Sequence, residues 1–364
     1  MPARLPVQVS APGKLILMGE HAAVYGRPAL VAGLDLRLEA RLEPHAGASV
    51  LLDLPDLGHQ EETTWSALRL YAAATRRQWE HFAEHPGPGA FQAVRGEDPA
   101  HVVKIALGET AEALGDAWAP EGAVLRIRST LPVGSGFGSS AATATAVVAA
   151  VLVFAGDEAA PERIGRIALD VERRQHGHPS GVDGLTVLSG GVLWARRLPS
   201  GDLEMERVTV RAPLLGRLQV YDTGTPQEST GEVVAAVRAR RAADPGRHER
   251  TLDRMEAVTR ALRAEIESSG EDPAAPLPLL REQQACLEEL GVVPAAVRDL
   301  VRAVEAAGGA AKISGAGSLS GPGAGCLLVY HPEPGEIERL GLLRALRHHP
   351  VHLGAPGFRR EDPG

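Results

Sequence analysis

Along residues 7–43, short apolar runs alternate with turn residues, the pattern of successive strands. Residues 63–85 and 100–115 repeat apolar positions at helical spacing, and His85-Pro-Gly-Pro-Gly89 breaks the chain between them. Residues 124–129 alternate with period two and predict a strand. A glycine-rich loop follows, and then residues 139–154, apolar on every side, which predict a buried helix. Pro161 opens a further helix reaching about residue 175. Two short strands are expected near 185–188 and 192–195. A boundary at Ala212-Pro213 divides the chain into expected domains 1–213 and 214–364. In the second, 218–221 reads as a strand and 230–307 as three or four helices. Residues 311–314 and 326–330 read as strands around another glycine loop, 332–347 as a last helix and 351–353 as a last strand. No internal repeat appears, and 52–96 carries no usable motif.

The length, 364 residues, suits two modest domains, and 44% hydrophobic residues suffice to fill their cores. A net charge of −8 argues against a nucleic-acid-binding face. Two cysteines, Cys286 and Cys326, exclude a disulfide framework and a four-cysteine zinc site. The most apolar stretch, 141–155, is shorter than the roughly 20 residues that span a bilayer, and residues 1–9 lack the apolar core of a secretory signal. The expectation is a soluble cytoplasmic protein without a membrane or nucleic-acid partner. A homodimer is compatible with the sequence but not indicated by it. Lysine is rare: Lys14, Lys104 and Lys312 stand against thirty-five arginines. Two of the three lie in or beside glycine-rich segments, where a compact ammonium could serve and a planar guanidinium could not.

Leu131-Pro-Val-Gly-Ser-Gly-Phe-Gly-Ser-Ser-Ala-Ala142 joins a strand to a helix. Its glycines let backbone N–H groups converge on an anion, and the helix start adds unpaired donors and a favourable dipole. Ser139 and Ser140 could cap that helix or reach phosphate oxygens and Mg2+. The pattern is neither a Walker loop nor a dinucleotide fingerprint, and a plain capped turn is its simpler reading. Lys14 follows a Pro-Gly turn at the start of an apolar strand, and Glu20 and His21 lie where that strand ends. Residues 172–191 concentrate Glu172, His176, His178, Ser180, Asp183 and Thr186. Asp183, in a tight turn before an expected strand, could orient or deprotonate a hydroxyl, or could bond its own backbone. His176 and His178 without a third ligand are more ordinary as turn residues than as a metal site. Lys312-Ile-Ser-Gly-Ala-Gly317, continued by Ser318-Leu-Ser-Gly-Pro-Gly-Ala-Gly325, reads as a loop between two strands. Asp222-Thr-Gly-Thr225 and Ser229-Thr230 carry hydroxyls suited to an acceptor or to a helix cap.

In this order and at these spacings, the three glycine-rich segments and the acidic motif resemble the galactokinase, homoserine kinase, mevalonate kinase and phosphomevalonate kinase (GHMP) superfamily. Ala11-Pro-Gly-Lys-Leu-Ile-Leu-Met-Gly-Glu-His21 and His176-Gly-His-Pro-Ser-Gly-Val-Asp183 are similar to the mevalonate kinase versions of their motifs. The resemblance implies an α+β, two-domain fold. Its N-terminal α/β domain would contain a left-handed βαβ crossover, and its C-terminal domain would be ferredoxin-like. It implies ATP and Mg2+ as cofactors, mevalonate as the small-molecule substrate, and phosphorylation of its primary hydroxyl. A phosphomevalonate kinase, a sugar kinase or a non-catalytic ATP-binding regulator are the alternatives. By the same resemblance Asp183 is the catalytic base and Lys14 its partner, and Ser140 and Glu172 are metal ligands. Pro132, Gly134, Ser135, Gly136, Gly138, Ser139, Ser140 and Ala141 hold the nucleotide. Glu20, His21, Ser180, Thr225, Gly315 and Ala316 lie near the acceptor. One departure stands out. After Gly317 the family usually has a short run of glycines, whereas residues 318–325 here are longer and contain a proline.

Overall fold

The structure, a computed structural model, describes residues 5–85, 94, 96–116, 118, 121–132, 134–177, 179–270, 272–339 and 341–362. The expected break at 86–89 and His178 lie outside them.

The first half builds β1 (Val7–Met18), β2 (Ala29–His45), β3 (Ser49–Leu54), β4 (His59–Thr64), α1 (Trp65–Glu84), α2 (His101–Ala113) and β5 (Gly122–Ser129). It continues with α3 (Ser139–Phe154), α4 (Pro161–His176), α5 (Val182–Ser189), β6 (Val192–Arg197) and β7 (Leu203–Arg207). The second half adds β8 (Gln219–Asp222), α6 (Thr230–Ala243), α7 (Pro245–Glu267), α8 (Pro276–Glu289), α9 (Ala295–Ala306), β9 (Ala310–Ser314) and β10 (Cys326–Tyr330). It ends with α10 (Pro334–Arg339), β11 (Arg347–His349) and β12 (Arg359–Glu361).

Two sheets result. The larger runs β12-β1-β2-β5-β3-β4, with β6 and β7 extending from β2. Within it β3 and β5 are parallel, joined by a crossover that contains α1 and α2. The smaller runs β11-β8-β10-β9, all antiparallel. Numbering its strands in chain order gives 4-1-3-2 with helices after the first and third, which is the ferredoxin-like arrangement. Its strands all follow Pro213, but β12 returns to pair with β1.

The apolar helix α3 lies where its sequence predicts. Its alanines and all its valines but the partly buried Val153 are buried, against β1 and β2 and between α2, α4 and α5. Ala and Val are small enough for strand and helix neighbours to approach together. Gly108 does the same for α1 and α2: a Cβ there would lie 2.2 Å from the Leu68 carbonyl oxygen.

Three expectations need correction. Residues 185–188 are helical, within α5, since Gly181 at φ 82° turns the chain and Thr186 Oγ1 bonds the Val182 carbonyl. A short apolar run cannot by itself distinguish the two states. Residues 332–347 hold only the short α10 and a 3-10 turn, Gly341–Ala345. Residues 351–353 make a single bridge, Leu34 to Leu353, while the pairing strands fall at β11 and β12. Among the described residues no helix is long and apolar enough to cross a membrane.

Candidate active site

Lys14 lies within β1, not at its start. Pro12-Gly13 is a register shift in the β1–β2 ladder, so the expected turn is a bulge in a continuous strand. The Lys14 amide donates to the Phe137 carbonyl at 2.9 Å, joining the strand to the glycine loop. Its side chain, almost wholly buried, crosses Gly138, where a Cβ would lie 2.7 Å from Lys14 Cγ. Gly138 also has φ 77°, so both space and backbone require glycine. The lysine ends with Nζ 2.9 Å from Asp183 Oδ2, and the Asp183 side chain keeps 37% of its surface exposed. Asp183 occupies the first turn of α5. The turn before it is held internally: the Val182 amide donates to Ser180 Oγ, and Arg197 of β6 donates to the Ser180 and Gly201 carbonyls.

Of the two readings of Ser139 and Ser140, the cap is not the one the start of α3 shows. Gly138 is the N-cap, in the left-handed region, and no side chain among the described residues caps the helix. A helix start of this kind presents N–H groups that an anion can satisfy. Ser140 Oγ instead lies 2.8 Å from His176 Nε2. Glu172, on the same face of α4 as His176, is buried. Burial, then the Asp183 charge, pushes its pKa up to about 8, against a hydrogen bond from Ser140 and the attraction of Lys14. Its Oε1 is buried without a hydrogen-bond partner among the described residues.

The glycine loop rests on the second sheet. Ser135 Oγ donates to Asp222 Oδ2 at 3.0 Å, and the Cys326 amide donates to the Ser135 carbonyl at 3.0 Å. A Cβ on Gly136 would meet the Ser314 carbonyl at 3.1 Å, and one on Gly134 the Thr225 methyl at 3.4 Å. Thr225 therefore faces this loop, while Ser229 caps α6 in a capping box with Glu232. The Ser135 hydroxyl thus donates within the protein, to the second sheet.

Glu20 is likewise tied within the protein. One of its oxygens bonds Lys312 Nζ and the other accepts from Gln283 Nε2 at 2.8 Å, all within a buried cluster. Its carboxylate thus joins the chain just after β1 to β9 and α8. Ile16 and Ser314 are joined beside it by two hydrogen bonds. His21, at φ 58°, donates from Nε2 to the Ala316 carbonyl at 2.9 Å. Burial pushes its pKa below the usual imidazole value against that bond. His21, Gly315 and Ala316 therefore meet, with Gly315 placed against Gly136.

The long third loop is not a loose hairpin. Glu228 accepts from Ser318 Oγ, Ser320 Oγ and the Leu319 amide. Partial burial opposes its ionisation, but these bonds outweigh it and hold the carboxyl at about 2. Gly323 passes so close to Thr223 and Gly224 that a Cβ would lie 2.7 Å from each carbonyl oxygen.

Lys312, Gln283, Asp222, Arg197 and Glu228 were not legible as site residues. Only Lys312 carried a signal, as a rare lysine beside a glycine motif. Asp222 stands in a segment noted for its hydroxyls.

Residues 101–191 match the GHMP kinases N terminal domain family. The chain is 31% identical over 358 residues to a mevalonate kinase of Bos taurus, covering 87% of this chain and 84% of that one. It is 32% identical over 332 residues to a mevalonate kinase of Thermococcus sibiricus, covering 90% of each. The fold is shared with the crystal structure of L. major mevalonate kinase in complex with R-mevalonate, at a TM-score of 0.69, 20% identity and 95% coverage of each chain.

Proposed function

The chain belongs to the mevalonate kinase family of the GHMP kinases, and from that premise we propose how its residues transfer the γ-phosphoryl group of ATP to the primary hydroxyl of mevalonate. The products are 5-phosphomevalonate and ADP, a step of the mevalonate pathway to isoprenoids. One observation carries the assignment of roles: the Lys14–Asp183 pair stands at the glycine loop, its lysine stem laid across Gly138.

Phosphoryl transfer depends on positioning and charge neutralisation more than on covalent help. The loop from Gly134 to Gly138 and the uncapped start of α3, from Ser139 to Ala141, bind the phosphates. Pro132 leads into that loop. Asp183 accepts the hydroxyl proton as the O–P bond forms and the bond to ADP breaks. A free aspartate, with pKa near 3.9, is a weak base toward an alcohol. Lys14 therefore contributes by stabilising negative charge on the acceptor oxygen. His21, Ala316 and Gly315 form the acceptor side, with Thr225 toward the phosphates and Ser180 fixing the Asp183 turn.

Glu172 and Ser140 fit a magnesium ion: both offer hard oxygens, and the orphaned Glu172 Oε1 is a buried acceptor that a cation would satisfy. When bound, Mg2+ neutralises charge on the β- and γ-phosphates. His176, through Ser140, fixes the hydroxyl that would face it. Lys14 and Lys312 are each neutralised by a carboxylate, which disfavours an acceptor already carrying a phosphate. We infer a cytoplasmic setting, in keeping with two free, buried cysteines.

The test is ADP release with ATP and Mg2+ across mevalonate, phosphomevalonate, galactose and homoserine. Turnover with mevalonate alone, lost in Asp183→Asn, is expected. Turnover only with another acceptor would overturn the substrate, and an active Asp183→Asn would overturn the assigned base.

A further inference from the structure

The loop that takes the phosphates follows β5 of the first sheet, yet its side chains are anchored in the second. Ser135 lies between Gly134 at φ 79° and Gly136 at φ 85°. Such glycines have wide conformational freedom, which must be lost when the loop is ordered. The residue between them is tied at both polar ends. Its hydroxyl donates to Asp222 Oδ2 of β8, and its carbonyl accepts from the Cys326 amide of β10. Two residues on, the buried Phe137 ring lies 5.0 Å from the His349 ring of β11. These three strands are neighbours, in the order β11-β8-β10. The other Asp222 oxygen accepts from the Gly224 amide at 2.8 Å and so fixes the turn that carries Thr225 against Gly134.

We propose that Asp222 is a positioning residue for nucleotide binding: through Ser135 it sets the shape of the phosphate loop from the opposite sheet. A carboxylate behind a phosphate site repels the ligand, so its contribution is geometric. A hydroxyl donating to an ionised carboxylate is among the stronger hydrogen bonds and suits a fixed anchor. The inference rests on the reading above, that this loop takes the phosphates of ATP.

A double-mutant cycle tests it, using the full chain, with MgATP affinity measured by calorimetry alongside steady-state kinetics. Asp222→Ala and Ser135→Ala are each expected to weaken MgATP about tenfold, the worth of one charge-assisted hydrogen bond. The double variant should be no weaker than Asp222→Ala alone, because Ser135→Ala then removes a link already broken. The KM for mevalonate should stay within about twofold, unlike the outcome of general unfolding. Asp222→Asn should recover most of the affinity, since its amide can donate to Ser135 while its carbonyl accepts from Gly224. Additive losses near a hundredfold, or parental affinity in Ser135→Ala, overturn the proposal. So does an increased Mg2+ requirement confined to the Asp222 variants, which would make Asp222 a direct ligand. If Asp222→Ala fails to fold, Ser135→Ala and Asp222→Asn still decide. A parent chain that does not bind MgATP would instead remove the functional reading on which the inference stands.

Discussion

Lys14 and Lys312 each hold a carboxylate, but their surroundings differ. Lys14 meets Asp183, whose side chain keeps 37% of its surface in solvent beside the glycine loop. Lys312 meets Glu20 with neither side chain exposed, and Gln283 takes the remaining oxygen. An accessible pair can exchange its partner for a substrate and act on it. A sealed pair has no such freedom, and it acts by fixing one part of the fold against another. Pairing a rare lysine with an acid thus serves two ends, separated only by whether the carboxylate still reaches solvent.

The difference is sharpest at the acids and lysines themselves. Asp183→Asn should lower kcat by about a hundred- to ten-thousandfold, the range for loss of a general base, while the melting temperature and MgATP affinity stay close to parental. Lys312→Met should do the reverse. It strands a buried carboxylate, at a cost of about 3–5 kcal/mol, read as a lower urea midpoint. Adding Glu20→Leu should restore much of that stability, because the uncompensated charge is gone. A Lys312→Met chain that stays stable but inactive would erase the distinction between the pairs.

Glu172 lies between the two cases, buried like Glu20 but with an orphaned oxygen beside the exposed pair. Its pKa is raised to about 8 in the fold and is near 4.3 when unfolded. Between these values the unfolded chain has released a proton that the metal-free fold retains, so stability falls as pH rises from about 4.3 to about 8. Glu172→Gln lacks that fall. Urea midpoints of parent and variant should diverge in the variant's favour from pH 5 to pH 8.5, and parallel curves would contradict the buried acid. The smallest effect concerns Glu228, which is outside both pairs. Glu228→Gln should leave the melting temperature nearly unchanged but speed hydrogen exchange at the Leu319 amide roughly tenfold, from one weakened bond.

Patterning made much of the fold legible. The buried α3 is bounded by the residues its apolar run predicts, because an all-apolar segment of that length has few other places to lie. The four helices between β8 and β9 follow from repeated helical spacing. Residues 185–188 misled because a four-residue apolar run has no period of its own, and residues 351–353 because a bridge and a strand look alike locally. The site was legible where chemistry and backbone demand coincide, as at Gly138 under Lys14. It was not legible where a partner comes from the other sheet. Nothing near Ser135 in sequence announces Asp222, and nothing near Glu20 announces Lys312 or Gln283. Such pairs are fixed only when the chain brings residues some 90 or 290 positions apart into contact.

The return of β12 to β1 has a consequence for how the protein is made. The edge of β1 that β12 covers is formed by residues 8–10, and their partners are residues 359–361. A ribosome adding about 5–20 residues per second leaves that edge without its strand for roughly 20 to 70 seconds. During that interval the nascent chain carries an open template for pairing with other chains. Chaperone occupancy should accordingly be higher on a released chain lacking residues 359–361 than on the full chain.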